Sequence, residues 1–140
     1  MKTQKDFNVT RYLGKWYDVA HKEFKWQKGC AFSSAEYSWD SIKKLMVVKN
    51  NCLNPNREII YSRSGEARIP NMNDKSKLKI KFTDGLPSDP EGDYFVHWTD
   101  YDNYSIVGGG GFLWILSRSP QIPRRRSNVV RKSIFFRIQS

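Results

Sequence analysis

Short segments in which every second residue is apolar, separated by turn-forming residues, make up most of this sequence. The clearest is SKLKIKF, in which Leu78, Ile80 and Phe82 alternate with three lysines. This two-residue period is typical of a β-strand with one buried and one wet face, because successive side chains point to opposite faces of a sheet. Residues 31–39 repeat the pattern, with the larger and less polar face at the odd-numbered positions. We therefore predict an all-β fold.

About eight such segments follow one another along the chain. In order they are GKWYDVAH, AFSSAEYSW, LMVVKNN, EIIYSRSGEARI, SKLKIKF, YFVHWTD, NYSIV and GFLWILSR. Gly- and Pro-rich stretches such as DGLPSDPEGD are typical of the loops between strands. Eight antiparallel strands can close into an up-and-down barrel wide enough for one small ligand. We predict one domain over residues 1–140, with the barrel at about 7–120 and a basic tail at 121–140.

The positive charge is concentrated in that tail. The net charge is +10, and six bases with no acid lie from Arg124 onward, which leaves 18 bases against 14 acids elsewhere. After Pro123 we expect a short helix over about 124–132 and then a strand. Three interpretations of the tail stay open: contact with an anionic membrane surface, non-specific nucleic-acid binding, or a solvated surface. The membrane interpretation depends on Arg124, Arg125 and Arg126, and no specific nucleic-acid partner is expected.

Other classes of protein fit poorly. The apolar runs are too short to span a bilayer, and 39% hydrophobic residues are too many for a disordered chain. The N-terminal MKTQKDFNVT lacks the apolar stretch of a secretory signal, so an intracellular location, or secretion after removal of a leader, is expected. Cys30 and Cys52 have no zinc-ligand spacing, and neither His21 nor His97 is expected to face the barrel interior. No metal or cofactor is predicted, and no prediction is made about an oligomer.

Three motifs occur in the order found in the lipocalin family. RYLGKWYDVA and FLWILSRSP resemble the first and last signature motifs of lipocalins, and TDYDNYSIV resembles the middle one. The similarity covers about residues 7–123 and is greatest to the branch that contains apolipoprotein D and the bacterial outer-membrane lipocalins. Beyond Pro123 the chain departs from the family, whose C-terminal helix is usually longer. The resemblance supports an eight-stranded barrel with a short or truncated C-terminal segment.

The resemblance also implies which end of the barrel is closed. In lipocalins the motif tryptophan packs beneath the arginine that follows the last strand, which here places Trp16 under Arg118. Gly14 would allow a tight backbone turn before the first strand. Asp100 and Tyr101, in the middle motif, would lie at the same end. These five residues are therefore expected to be structural.

A barrel closed at one end leaves a cup at the other. Strand alternation predicts the side chains that face it: Ala35, Tyr37, Trp39, Val47, Leu78, Ile80, Phe82, Tyr94, Val96, Trp98 and Trp114. The resemblance adds weight to Tyr37 and Trp114, whose counterparts line the pocket in apolipoprotein D-like proteins. The ligand implied is a fatty acid, lysolipid or similar apolar molecule, although the same bulky side chains could instead fill the space.

The two cysteines bear on both fold and function. A hairpin turn between Trp39 and Lys43 gives paired positions that sum to about 82, which puts Cys30 opposite Cys52. We predict a disulfide between them, with two free thiols as the alternative. The leading functional hypothesis is non-catalytic binding or transport of an apolar ligand. The alternatives are an interaction protein that uses its basic tail and a thiol-dependent lipid isomerase.

Overall fold

A computed structural model describes residues 2–22 and 29–120 of the protein, and these form one short helix and eight strands. Helix α1 is a single turn over Val9–Tyr12, and the Asn8 side chain caps it by accepting the backbone N–H of Arg11. The strands are β1 (Gly14–Lys22), β2 (Phe32–Asp40), β3 (Leu45–Leu53), β4 (Ile59–Arg68), β5 (Lys77–Phe82), β6 (Gly92–Thr99), β7 (Tyr104–Gly109) and β8 (Phe112–Ser117).

The sheet is a closed barrel. Each strand pairs antiparallel with the next along the chain, and β8 pairs with β1. Every strand thus has two hydrogen-bonded neighbours, which is how a barrel avoids exposed sheet edges. The predicted up-and-down topology is confirmed. The expected C-terminal helix and strand lie outside the described residues, and no helix in the described part is long and apolar enough to cross a membrane.

One half of the barrel interior is solid. Tyr12 and Trp16 are completely buried, and they pack in one hydrophobic cluster with Met46, Leu78 and Val96, each no more than 1% exposed. Four of these five lie on strands where alternation points them inward, while Tyr12 comes from α1, which closes this end. This half supplies the main core, and the opposite half remains hollow.

The register between β2 and β3 corrects one prediction. Ser33, rather than Cys30, lies opposite Cys52, a shift of three residues from the expected pairing. The turn is longer than expected: it spans residues 41–44 and is held by Asp40, whose carboxylate accepts two backbone N–H groups. An odd shift moves side chains to the other face of a sheet. Val48 therefore points inward and is 1% exposed, whereas Val47 pairs with outward-facing residues.

A β-bulge in β6 corrects a second prediction. Val96 pairs with Val107, but the register then shifts and Trp98 pairs with Ile106. The extra residue reverses alternation from that point onward. Trp98 consequently packs with Ile106 and Ile115 in a small apolar cluster outside the barrel interior. Strict alternation would have placed it inside.

Candidate functional site

The hollow half of the barrel contains a cavity of about 280 Å³. Six of the predicted ligand-facing residues line it: Ala35, Tyr37, Ile80, Phe82, Tyr94 and Trp114. Gly109, at the end of β7, and Gly110, in the turn that follows, form part of its rim at the end of the barrel away from Trp16. The wall is chiefly aromatic and aliphatic, as is common for small-molecule sites.

The other five predicted positions lie elsewhere. Leu78 and Val96 belong to the solid core beneath the cavity. Trp39 lies beyond that core, 39% exposed, in a surface groove at the closed end. Val47 and Trp98 are on the outside of the barrel, for the reasons of register and bulge given above. The closed end is thicker than strand alternation alone can indicate.

Several lining residues were missed by sequence reasoning. Val107, Phe112 and Leu116 complete the apolar wall, and the rings of Phe112 and Trp114 are stacked with centroids 5.4 Å apart. Leu116 lies two residues after Trp114 on β8, so alternation predicts that both face the cavity, and Leu116 could have been predicted from the sequence. Val107 could have been predicted in the same way only if the inward-facing residues of the short strand β7 had been known.

Buried hydroxyl groups form the floor of the cavity. The phenol oxygen of Tyr94 lies 2.8 Å from those of both Tyr12 and Tyr37, and Tyr12 is also 2.8 Å from the Ser105 Oγ. Burial raises the pKa of Tyr12 to about 12 and raises the pKa values of Tyr37 and Tyr94 well above the ordinary value. The three phenol groups are therefore neutral near neutral pH and, like the Ser105 hydroxyl, each carries one O–H hydrogen that it can donate.

Counting hydrogens shows that this floor has donor capacity to spare. The four hydroxyl groups of the floor carry four hydrogens, and the three contacts between them use three. One O–H is not engaged within the cluster. When each hydroxyl donates along the chain towards Tyr37, the remaining O–H is that of Tyr37, which lines the cavity and can donate to a polar atom of a ligand.

A carboxylate also lines the cavity. Asp18 lies two residues after the buried Trp16 on β1, so alternation turns it inward, and its side chain is only 7% exposed. Its Oδ2 lies 3.1 Å from the His21 Nδ1 and accepts a hydrogen bond from the Ser33 hydroxyl at 3.3 Å. Burial raises the pKa of Asp18 to about 6, while the nearby His21 acts in the opposite direction. The sequence analysis did not single out this residue.

Arg118 closes the opposite end of the barrel. Its guanidinium carbon lies 3.8 Å from the centroid of the Trp16 ring. Its N–H groups donate to four backbone carbonyls, those of Tyr101, Lys15, Arg11 and Tyr12, at 2.9 to 3.3 Å. A single side chain therefore ties β8 to α1, to the start of β1 and to the β6–β7 loop.

Gly14 makes room for this contact. Its φ is +106°, a conformation that L side chains rarely adopt, and an added Cβ would lie 3.1 Å from the Arg118 Nη1. Asp100 organises the β6–β7 loop by accepting the backbone N–H groups of Asn103 and Tyr104. The Tyr101 hydroxyl accepts the backbone N–H of Asn8. Together with Trp16 and Arg118, all of the expected structural positions lie at one end of the barrel.

These features match a known family. The model of the lipocalin-like domain family matches residues 7–135. This chain is a lipocalin. Among curated relatives, mouse apolipoprotein D is 31% identical over 129 residues, which are 86% of this chain and 65% of that protein. The outer membrane lipoprotein Blc of Vibrio cholerae is 30% identical over 128 residues, covering 89% of this chain and 72% of Blc. The chain thus spans just under two thirds of the apolipoprotein D with which it aligns.

Solved structures have the same fold. Insecticyanin from the tobacco hornworm Manduca sexta superposes with a TM-score of 0.77 at 21% identity, over 99% of this chain and 78% of that one. At this level of identity the similarity establishes the barrel architecture alone.

The cysteines of this lipocalin form the predicted disulfide. Cys30 and Cys52 are bonded, with their Cα atoms 5.3 Å apart and a separation of 22 residues along the chain. The bond forms although the two residues are not cross-strand partners, since Ser33 pairs with Cys52 and Cys30 precedes β2. It ties the start of β2 to the end of β3.

Proposed function

We propose that this lipocalin binds a small hydrophobic molecule, such as a fatty acid, a lysolipid or a similar lipid, in its barrel cavity. The observation that carries the proposal is the cavity itself, which is lined mainly by apolar and aromatic side chains above a sealed floor. Six buried methylene groups would contribute about 5 kcal/mol before the costs of ordering the ligand. The family membership supports the same function.

The size of the cavity favours a slender ligand. Its volume of about 280 Å³ is just below the range common for ligand pockets, about 300–1,000 Å³. A single hydrocarbon chain or a small ring system fits this space better than a lipid with two acyl chains. Any remaining length of such a ligand would extend through the open rim near Gly109 and Gly110.

Two neighbouring valines provide a matched test. Val48 lines the cavity, whereas Val47 faces outward on the same strand. We expect Val48→Phe to fill part of the cavity and weaken the binding of a fluorescent fatty acid or retinoid to delipidated protein. Val47→Phe adds the same bulk outside and should leave binding unchanged. Equal effects of the two substitutions, or no saturable binding by the wild-type protein, would contradict the proposal.

We infer a binding role rather than catalysis by a thiol. A thiol-dependent isomerase needs a free cysteine, and the chain's two cysteines, Cys30 and Cys52, are joined to each other. A Cys30→Ser/Cys52→Ser double variant should therefore keep the ligand affinity of the wild type when both are assayed in the folded state. Isomerase turnover by the wild-type protein that disappears in this variant would overturn the inference.

A second proposal concerns the basic tail, which lies outside the described residues. The tail contains six basic and no acidic residues from Arg124 onward, and each basic residue near an anionic membrane contributes about 1 kcal/mol of attraction. We propose that Arg124, Arg125 and Arg126 contact anionic lipid surfaces. Deletion of the residues after Pro123 should abolish sedimentation with phosphatidylserine vesicles and leave ligand binding intact. Undiminished sedimentation would exclude the tail as the contact.

A further inference from the structure

Asp18 is the feature of the cavity that a purely apolar ligand does not explain. Its Oδ2 is held by Ser33 and His21, but its Oδ1 has no hydrogen-bond partner among the described residues and almost no contact with solvent. The other carboxylate in the cavity wall differs in this respect: Asp93 forms an ion pair with Lys79. Within the described part of the chain, one acceptor atom of the cavity wall thus has no hydrogen-bond donor.

An acceptor of this kind carries an energetic cost that a ligand can relieve. A buried carboxylate oxygen that loses water and gains no hydrogen bond destabilises the folded protein. A ligand that brings a donor satisfies this oxygen, and a cationic donor adds an attraction that is strengthened by the apolar surroundings. A ligand carboxylate placed beside Asp18 would instead be repelled.

The groups that the structure describes around Asp18 offset its negative charge only in part. On its own strand, the nearby His21 and the backbone of Ala20 both lower the pKa of Asp18, but burial raises it by more. From β2, Ser33 contributes a neutral hydroxyl, and Tyr37 is a neutral phenol whose pKa is raised. From β8, the nearest wall residues are Leu116 and Trp114, which carry no charge.

We propose that Asp18 binds the protonated amine of an apolar ligand, so that the cavity prefers an amine to an alcohol or a carboxylate with the same hydrocarbon chain. This inference rests on the proposed function, because it assigns the polar end of a ligand whose apolar part occupies the same cavity. It also narrows the ligand class, since it disfavours simple fatty acids relative to single-chain amines.

Three probes with one hydrocarbon chain test the inference. Octylamine, octanol and octanoate are titrated by calorimetry into the delipidated full-length protein at about pH 8, where a carboxyl with a pKa of about 6 is ionised. Hydrogen bonds to charged groups are strong enough that octylamine should bind roughly 10- to 100-fold more tightly than octanol. Octanoate should bind more weakly than either.

Asp18→Asn and Asp93→Asn form a matched pair of variants. Asp18→Asn keeps the shape of the side chain and should remove the preference, so that octylamine binds no more tightly than octanol. Asp93→Asn removes the other carboxylate of the wall and should retain the preference. An amine preference that persists in Asp18→Asn, or its absence in the wild type while octanol binds, would overturn the inference and leave the proposed function standing. Failure of all three probes to bind the wild type would refute both.

A pH series on the wild-type protein gives a second measurement that needs no variant of Asp18. Protonation of Asp18 as the pH falls from about 8 to about 5 should remove the preference for octylamine, whose own charge does not change. Octanol binding should stay constant. His21 contacts the same carboxylate at 3.1 Å, so His21→Gln serves as the control and should keep a pH-dependent preference for octylamine. A pH-independent preference would count against Asp18 as the binding group.

Discussion

Replacement of Arg118 by alanine is expected to destabilise the barrel by about 3 kcal/mol. The side chain donates hydrogen bonds to four backbone carbonyls and lies 3.8 Å from the centroid of the Trp16 ring. A hydrogen bond contributes about 1 kcal/mol, and we count half of this because the guanidinium is only partly buried. The four bonds then give about 2 kcal/mol, and the cation–π contact adds about 1 kcal/mol.

Two further variants separate these contributions. Arg118→Lys keeps a positive charge near the ring but loses the planar fork of donors, so it should recover only about 1 kcal/mol of the loss. A double-mutant cycle of Arg118→Ala with Trp16→Leu should give a coupling energy of about 0.5–2 kcal/mol for the ring contact. Trp16 is completely buried, so Trp16→Leu alone will also leave a cavity. The free-energy cost of that cavity is present in both variants that contain Trp16→Leu and therefore cancels in the cycle.

Urea unfolding, followed by far-ultraviolet circular dichroism, measures these differences. Arg11→Ala is the control: Arg11 also lies at the closed end and 4.3 Å from the centroid of the Tyr101 ring, but its side chain is 54% exposed and its ion pair with Asp102 is 3.7 Å long. Exposed pairs of this kind contribute at most about 1 kcal/mol. A loss below about 1 kcal/mol for Arg118→Ala, or a lysine variant as stable as the wild type, would refute the role assigned to the guanidinium.

Three more predictions follow from the same structure. Gly14→Ala should lower the free energy of unfolding in urea by about 2 kcal/mol or more, and Gly111→Ala should lower it by less. Both glycines have positive φ, but of the two only Gly14 has a neighbouring atom within 4 Å of the added Cβ. Burial raises the pKa of Asp18 from 3.8 to about 6, so the folded protein binds this proton more tightly than the unfolded chain does. The resulting contribution of Asp18 to the free energy of unfolding is complete below about pH 4 and is lost as the pH rises through 6. Asp18→Asn should therefore gain about 2–3 kcal/mol relative to the wild type between about pH 4 and pH 7, and parallel pH–stability curves would contradict this. Reduction of Cys30–Cys52, which closes a loop over 22 residues, should lower the free energy of unfolding by about 3 kcal/mol, and the same reductant should not affect a double-serine variant.

The sequence alone was sufficient to predict the barrel and its closed end. The alternation of Leu78, Ile80 and Phe82 with lysines is a local property of a strand, and it survives in the folded protein as an inner and an outer face. The motifs around Trp16 and Arg118 resemble those of lipocalins, and this resemblance implied that the two side chains meet at the closed end, as they do. The first inference depends on a pattern within one strand, and the second depends on the resemblance of the motifs to those of a known family.

The tertiary structure decided which residues of those strands reach the cavity. Val47 was expected inside and Val48 was not, because the four-residue turn before β3 carries no glycine or proline that would have revealed its length. Trp98 was also expected inside, but the bulge after Val96 turns its side chain to the outer face of the barrel. Asp18 lay within a recognised motif, yet its unpartnered oxygen depends on which strands surround it.

Local alternation therefore determined that each strand has two faces, whereas turn length, register and bulges determined which face is inside at each point. The physical reason is that the side-chain period of a strand is two residues, so a shift by an odd number of residues exchanges the faces completely. The cost of such a shift is set by pairing with neighbouring strands and by closure of the whole barrel. Those contacts join residues that are far apart in the sequence.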